Sequence, residues 1–137
     1  MQPPRYFLLA IFCLFISHLA YAENTYQPKS GDAELDAALI QLNEKRIKNK
    51  AGFITELAEE FQVPEYRVSV LFSQYKFTPA DVLITLSIAD SSGQPVANVA
   101  RSYFDNKAQG WGHALYLMKI SKHSATFKQI KADVKSF

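Results

Sequence analysis

The chain is 137 residues long and carries 10 Phe and 7 Tyr, enough aromatic surface for the packed core of one domain. Its single cysteine, Cys13, falls in a segment expected to be removed, which excludes a disulfide framework, a thiol nucleophile and a thiolate metal site in what remains. Charge is nearly balanced: without Arg5 there are 14 Lys and Arg against 13 Asp and Glu, so the distribution of charge says more than its total.

Residues 1–22 carry one charge, Arg5, then the apolar run Tyr6 to Ile16 and the small residues of Ala20-Tyr21-Ala22. The run is about 11 residues where a membrane-spanning helix needs about 20, and the pattern is that of a cleaved secretory signal. Cys13 is preceded by Ala-Ile-Phe and not by the small residues of a lipoprotein box, so no lipid anchor is expected. The chain is therefore expected to be exported, to the periplasm or beyond the cell, without a transmembrane segment after cleavage. Residues 23–31, with Pro28 and Gly31 among polar groups, read as a flexible leader, and residues 32–137 as a single helical domain.

Asp32 is a good N-cap, with Glu34 and Asp36 in the first turn and Lys45 to Lys50 at the far end, as a helix dipole favours. Leu35, Leu39, Leu42 and Arg46 share a face, which predicts a helix over 32–48. Phe53, Ile54, Leu57, Ala58 and Phe61 repeat the spacing opposite Glu56, Glu59 and Glu60. Pro64 is placed at the first position of the next helix, with Val68, Leu71, Phe72 and Tyr75 inward. Thr78-Pro79-Ala80-Asp81 combines a capping hydroxyl, a proline at N1 and a carboxylate at N3, and starts a helix that Asp90-Ser91-Ser92-Gly93 stops. Pro95 starts another, with Val96, Val99, Ala100 and Tyr103 on its face. Two more segments run from Trp111 to Met118 and from the cap Ser124 through Phe127, Ile130 and Val134. The fold class is all-α, a compact bundle of six to seven short helices. The rival is an α+β fold with a hairpin near 67–100, because "RVSVLF" and "ITLSI" also alternate as half-buried strands do.

With "GDAELDAALIQLN" at 31–43, "FQVPEYRV" at 61–68, "TPADVLITLSI" at 78–88, "NKAQGWGHA" at 106–114 and "SATFKQIK" at 124–131, the chain resembles a family of small, exported, all-helical bacterial proteins. The family ends in N-K-G-x-G-W-G and a helix, then a Gly-Ile-Lys-Pro-Gly-Ser turn. Here Ala108 replaces one glycine and "MKISKHSATF" at 118–127 replaces the turn, so the last turn is expected to differ in shape. The resemblance implies export and helical architecture, and supplies no activity.

Candidate sites are few. Trp111 between Gly110 and Gly112 is either a ring at a ligand mouth or a core anchor whose indole N–H meets a backbone carbonyl; the anchor is the preferred reading. Beyond residue 22 only His113 and His123 remain, and there is no Gly-x-Ser-x-Gly, Walker or His-Glu-x-x-His pattern, so no catalytic residue, metal or cofactor is expected. Glu56, Glu59 and Glu60 read as a solvated helix face. Lys119, Lys122, Lys128, Lys131 and Lys135 form a candidate surface for phosphate groups of lipids, including phosphoinositides, or envelope polymer. Charge segregates along the chain, from −4 over residues 51–90 to +5 after residue 106, which also suits self-association. The expected function is a non-enzymatic binding domain with a protein partner or a homodimer. The alternatives are an anionic-surface binder and, third, an enzyme of unknown class; DNA is not expected as a partner of an exported protein.

Overall fold

A computed structural model describes residues 25–137; the expected signal segment and residues 23 and 24 lie outside the described residues. Among the described residues there are seven helices and no strand: α1 (Ala33–Arg46), α2 (Lys50–Glu60), α3 (Glu65–Ser73), α4 (Pro79–Ser92), α5 (Val96–Asp105), α6 (Trp111–Leu117) and α7 (Ala125–Ser136). The region of the rival hairpin is α3, α4 and α5.

Local chemistry sets most of the boundaries. The Asp32 carboxylate accepts the Leu35 N–H at 2.8 Å, and Ser124 accepts the Phe127 N–H at 3.1 Å. Thr78 and Asp81 close a reciprocal capping box, each side chain accepting the other's backbone N–H at 3.3 Å. Gly93 ends α4 with φ +70°, a conformation that costs glycine little. Pro64 and Pro95 sit one residue earlier than expected: each has an extended ψ, 138° and 136°, and is the N-cap residue, so helical geometry begins only at the next residue.

Helix α4 is the centre of the bundle and packs against α7, α1, α5, α3 and α2. Every residue from Pro79 to Ala89 is buried. A helix enclosed on all sides needs apolar residues on every face, so its 3.6-residue period disappears and a spurious two-residue alternation survives in "ITLSI". The polar groups it buries are all satisfied. The Asn43 side chain on α1 accepts the Ala80 N–H at 2.7 Å, Thr85 donates to the Asp81 carbonyl at 2.6 Å, and Ser87 donates to Asp133 on α7 at 2.6 Å.

Packing around α4 comes from Leu39, Phe53, Leu57, Val68, Val99, Phe127 and Ile130, each with at most 1% of its surface exposed. Burial of such side chains stabilises by about 1.5–3 kcal/mol each before conformational entropy is counted. The far end of α7 is pinned by Phe137, whose ring meets Phe53 edge-on and stacks on Phe61, while Lys45 and Arg46 donate to its carbonyl oxygen at 2.9 and 3.0 Å.

The segment read as a flexible leader is docked from residue 25 onward: Trp111 N–H donates to the Pro28 carbonyl and Gly112 N–H to the Lys29 carbonyl, both at 2.8 Å. These backbone carbonyls supply the cap that α6 lacks from any side chain. Gly110 and Gly112 are what allow the approach. A Cβ on Gly110 would stand 2.5 Å from the Lys29 Cβ and 2.8 Å from the Pro28 carbonyl oxygen; one on Gly112 would stand 2.9 Å from the carbonyl oxygens of Lys29 and Ser30.

Candidate functional site

The docked segment closes over a buried polar clasp. Tyr26 donates its hydroxyl to Asp81 Oδ1 at 2.8 Å, and the indole N–H of Trp111 donates to the same oxygen at 2.9 Å. Asp81 Oδ2 accepts the Thr78 N–H, so among the described residues a fully buried carboxylate is held by three donors and no cation. Trp111 is completely buried, and its indole meets a carboxylate where a backbone carbonyl was expected. Its ring stacks on Tyr103 at 3.8 Å between centroids and 6° between planes. Burial, reinforced by the Asp81 carboxylate, raises the pKa of Tyr26 and of Tyr103 far above the ordinary tyrosine range. Both phenols stay protonated at neutral pH; they serve the clasp as donors and packing surface, and neither is poised as a base or a nucleophile.

Beside the clasp opens a cleft of about 460 Å³, lined by Tyr26, Gln27, Lys29, Thr78, Asp81, Tyr103 and Lys107 among others. Lys29 reaches it from the docked segment and Lys107 from the turn between α5 and α6.

The five C-terminal lysines do not converge on a free anion site. Lys131 binds Asp32 at 3.1 Å and Glu34 at 2.7 Å, and Lys135 pairs with Glu34. Lys122 donates to the Gly31 carbonyl at 2.8 Å. Lys119, in the turn after α6 with φ +60°, and the exposed Lys128 on α7 have no partner among the described residues. The charge separation along the sequence is thus partly cancelled in space, because α7 lies against α1 and its lysines meet the acids of the α1 first turn. On the acidic side, Asp81 is buried and Glu56 is tied to Arg46 at 2.8 Å, so neither adds to a free negative face.

His113 lies half-buried on α6 and His123 is exposed; no group of three or more metal-ligating side chains occurs among the described residues. No helix among them is long and apolar enough to cross a membrane.

A second surface went unread in the sequence. Helices α3 and α5 both lean on α4 and leave a groove of about 440 Å³ between them, lined by Tyr66, Arg67, Val70, Tyr75, Pro95 and Val96 among others. It continues through Arg67 and Val96 into a hollow of about 250 Å³ beside Leu86, and through Tyr75 into one of about 240 Å³ beside Arg101 and Phe104. Tyr66 is 63% exposed and Phe104 49% exposed, unusual for rings that line a continuous groove. Arg67 Nε donates to the Tyr66 hydroxyl at 3.3 Å, and neither Arg67 nor Arg101 lies within ion-pair distance of a carboxylate among the described residues. Phe104 is braced from behind by an aromatic series: Tyr75 meets it edge-on, Phe77 touches Tyr75, and Tyr103 touches Phe77. Compared with protein-family models, curated proteins and solved structures, the chain matches none.

Proposed function

We propose that the protein is an exported, non-enzymatic binding domain that works in the periplasm or outside the cell by taking an amphipathic, acid-flanked segment of a protein partner into the groove between α3 and α5. The observation that carries this reading is the groove itself, with exposed Tyr66 and Phe104 beside the guanidinium groups of Arg67 and Arg101, which form no ion pair among the described residues. Tyr and Arg dominate the few residues that supply most interface energy, and a helix laid in a groove is a recurrent recognition mode. The unpaired guanidiniums favour acidic residues flanking the apolar anchors. Export is supported by the apolar run Tyr6 to Ile16 followed by Ala20-Tyr21-Ala22. The non-enzymatic reading is supported by the clasp, whose titratable groups are occupied with one another.

The test uses a designed amphipathic peptide with Leu and Phe anchors on one face and Glu on the other, followed by fluorescence anisotropy and backbone amide shifts. Saturable binding at about 10 μM or tighter is expected, weakened about fivefold or more by Tyr66→Ala or Phe104→Ala. A matched peptide with Lys in place of Glu binds more weakly, and Arg101→Glu narrows that difference. Absence of saturable binding, or shifts centred away from α3 and α5, refutes the proposal. A concentration-dependent dimer dissolved by Tyr66→Ala assigns the groove to a second copy of the chain instead.

A further inference from the structure

We infer that the cleft beside the clasp is a binding site for a small phosphate ester with a hydroxylated body, held by Lys29 and Lys107. The cleft shares no lining residue with the groove between α3 and α5. Lys29 and Lys107 line one cleft of about 460 Å³, within the usual size range of small-molecule sites. Lys107 has no partner among the described residues, and Lys29 Nζ makes only a long contact, 3.4 Å, to the carbonyl of Ala108, the residue next to Lys107. Among the described residues the one carboxylate on the cleft wall is Asp81, fully buried, with Oδ1 taken by Tyr26 and Trp111 and Oδ2 by the Thr78 N–H. It forms no ion pair with either lysine. Among the described residues neither lysine is paired with a carboxylate, and the negative charge of Asp81 is spread over three hydrogen bonds, so the mouth carries a net positive charge in a concave site where the field is focused.

The placement of Lys29 is fixed by the fold. Its φ of +49° lies in the left-handed region, uncommon for a residue with a Cβ. Docking holds it there: its carbonyl accepts the Gly112 N–H at 2.8 Å, and its Cβ lies over Gly110. The strain is borne at the one residue of the segment whose side chain both reaches the cleft and carries charge. Lysine binds phosphate as a point charge, and Gln27 and Thr78 on the same wall suit the hydroxyl groups of the ester's body.

The experiment titrates the protein, purified as the cell exports it, with glycerol 3-phosphate at low salt, using glycerol as the uncharged control and phosphatidylglycerol vesicles as the lipid-borne source of the same group. Backbone amides of Lys29, Lys107 and Ala108 and the indole signal of Trp111 are followed. Saturable shifts confined to these positions are expected, with none from glycerol and with affinity falling about tenfold or more in Lys29→Gln and in Lys107→Gln. Both side chains are exposed, so the melting temperature of each variant checks that the fold is kept. Response to the free ester identifies a soluble ligand, and response to vesicles alone identifies a lipid headgroup; either supports the site. Silence in both arms overturns it, as does binding that survives Lys29→Gln with Lys107→Gln together or that shifts Lys119, Lys122 and Lys128 equally.

Discussion

Gly112→Ala and Gly52→Ala are the same chemical change in two helices, and the structure assigns them different outcomes. On helix propensity alone both should stabilise by about 0.5–1 kcal/mol, since alanine loses less backbone entropy than glycine. In α2 the new Cβ at residue 52 meets only the end of the Asn49 side chain, at 2.8 Å from Nδ2. Asn49 can turn away, giving up its 3.2 Å cap to the Gly52 N–H, so loss and gain offset and the variant stays within about 0.5 kcal/mol of the parent. In α6 the new Cβ at residue 112 meets two carbonyl oxygens of the docked segment, both at 2.9 Å, and backbone has no rotamer to yield. Overpacking of this sort costs about 1–3 kcal/mol, which outweighs the propensity gain and leaves a net loss of about 1–2 kcal/mol. Urea and thermal unfolding followed by circular dichroism should place the Gly112→Ala melting temperature about 4–8 °C below the parent. Trypsin should also cut faster after Lys29, because the segment is pushed off its seat. A Gly112→Ala protein at least as stable as Gly52→Ala would refute the reasoning that the two glycines around Trp111 exist to admit residues 28–30.

Trp111→Ala should cost about 3–5 kcal/mol, as truncation of a buried aromatic does, whereas Trp111→Phe keeps a ring against Tyr103 and should lose only the indole donor to Asp81, about 1–3 kcal/mol by chemical denaturation. Above about pH 10 the unfolded chain releases the tyrosine protons that burial keeps on Tyr26 and Tyr103, so stability should fall with rising pH, and the limb should be shallower in Tyr26→Phe. At the acid end the Leu35 N–H and Lys131 hold the Asp32 carboxyl below its usual range, and Lys131 and Lys135 do so for Glu34. That contribution is present above the unfolded values near pH 4 and is lost as pH falls through the lower folded ones; urea midpoints from pH 7 to 2 should show a smaller acid loss in Asp32→Asn, which keeps a capping side chain. Asp81→Asn should destabilise by about 1–3 kcal/mol at neutral pH, because an amide sets a donor against one of three donors already in place.

What could be read from the sequence was whatever is decided within a few residues. The Thr78-Pro79-Ala80-Asp81 start and the Asp32 and Ser124 caps rest on side chains bonding their own neighbours, and the Gly93 stop on a left-handed backbone that glycine adopts at little cost, so residue type alone discloses them. Pro64 and Pro95 were placed one residue off because proline fixes φ but leaves ψ to the surroundings. The docking of residues 25–31 left almost no trace, since the acceptors are backbone carbonyls, which every residue has. Only the spacing of Gly110 and Gly112 and the isolated Tyr26 in a polar stretch betray it. The lysines of α7 looked free because Asp32 and Glu34, which bind Lys131 and Lys135, lie about a hundred residues away in sequence. The groove was illegible for a related reason: it arises where α3 and α5 both lean on α4 and leave space between them, a relation no linear pattern records.

Asp81 shows how one residue can be legible in kind and opaque in consequence. As the N3 partner of Thr78 it needs only an acceptor, and several side chains would serve a capping box. Its other oxygen imposes a stricter condition, because Oδ1 takes Tyr26 and Trp111 together while Oδ2 takes the Thr78 N–H. Only an acceptor-only side chain short enough to stay at the start of α4 meets all three. The cap therefore positions the carboxylate and the clasp dictates that it be a carboxylate. Through Trp111 the same group anchors Tyr103, whose ring begins the aromatic series that ends at Phe104 on the groove. The cleft at Lys29 and the groove at Phe104 thus share one rigid support, so a lesion in the clasp is expected to loosen both, whereas substitutions at Lys29 or Phe104 leave the other surface intact.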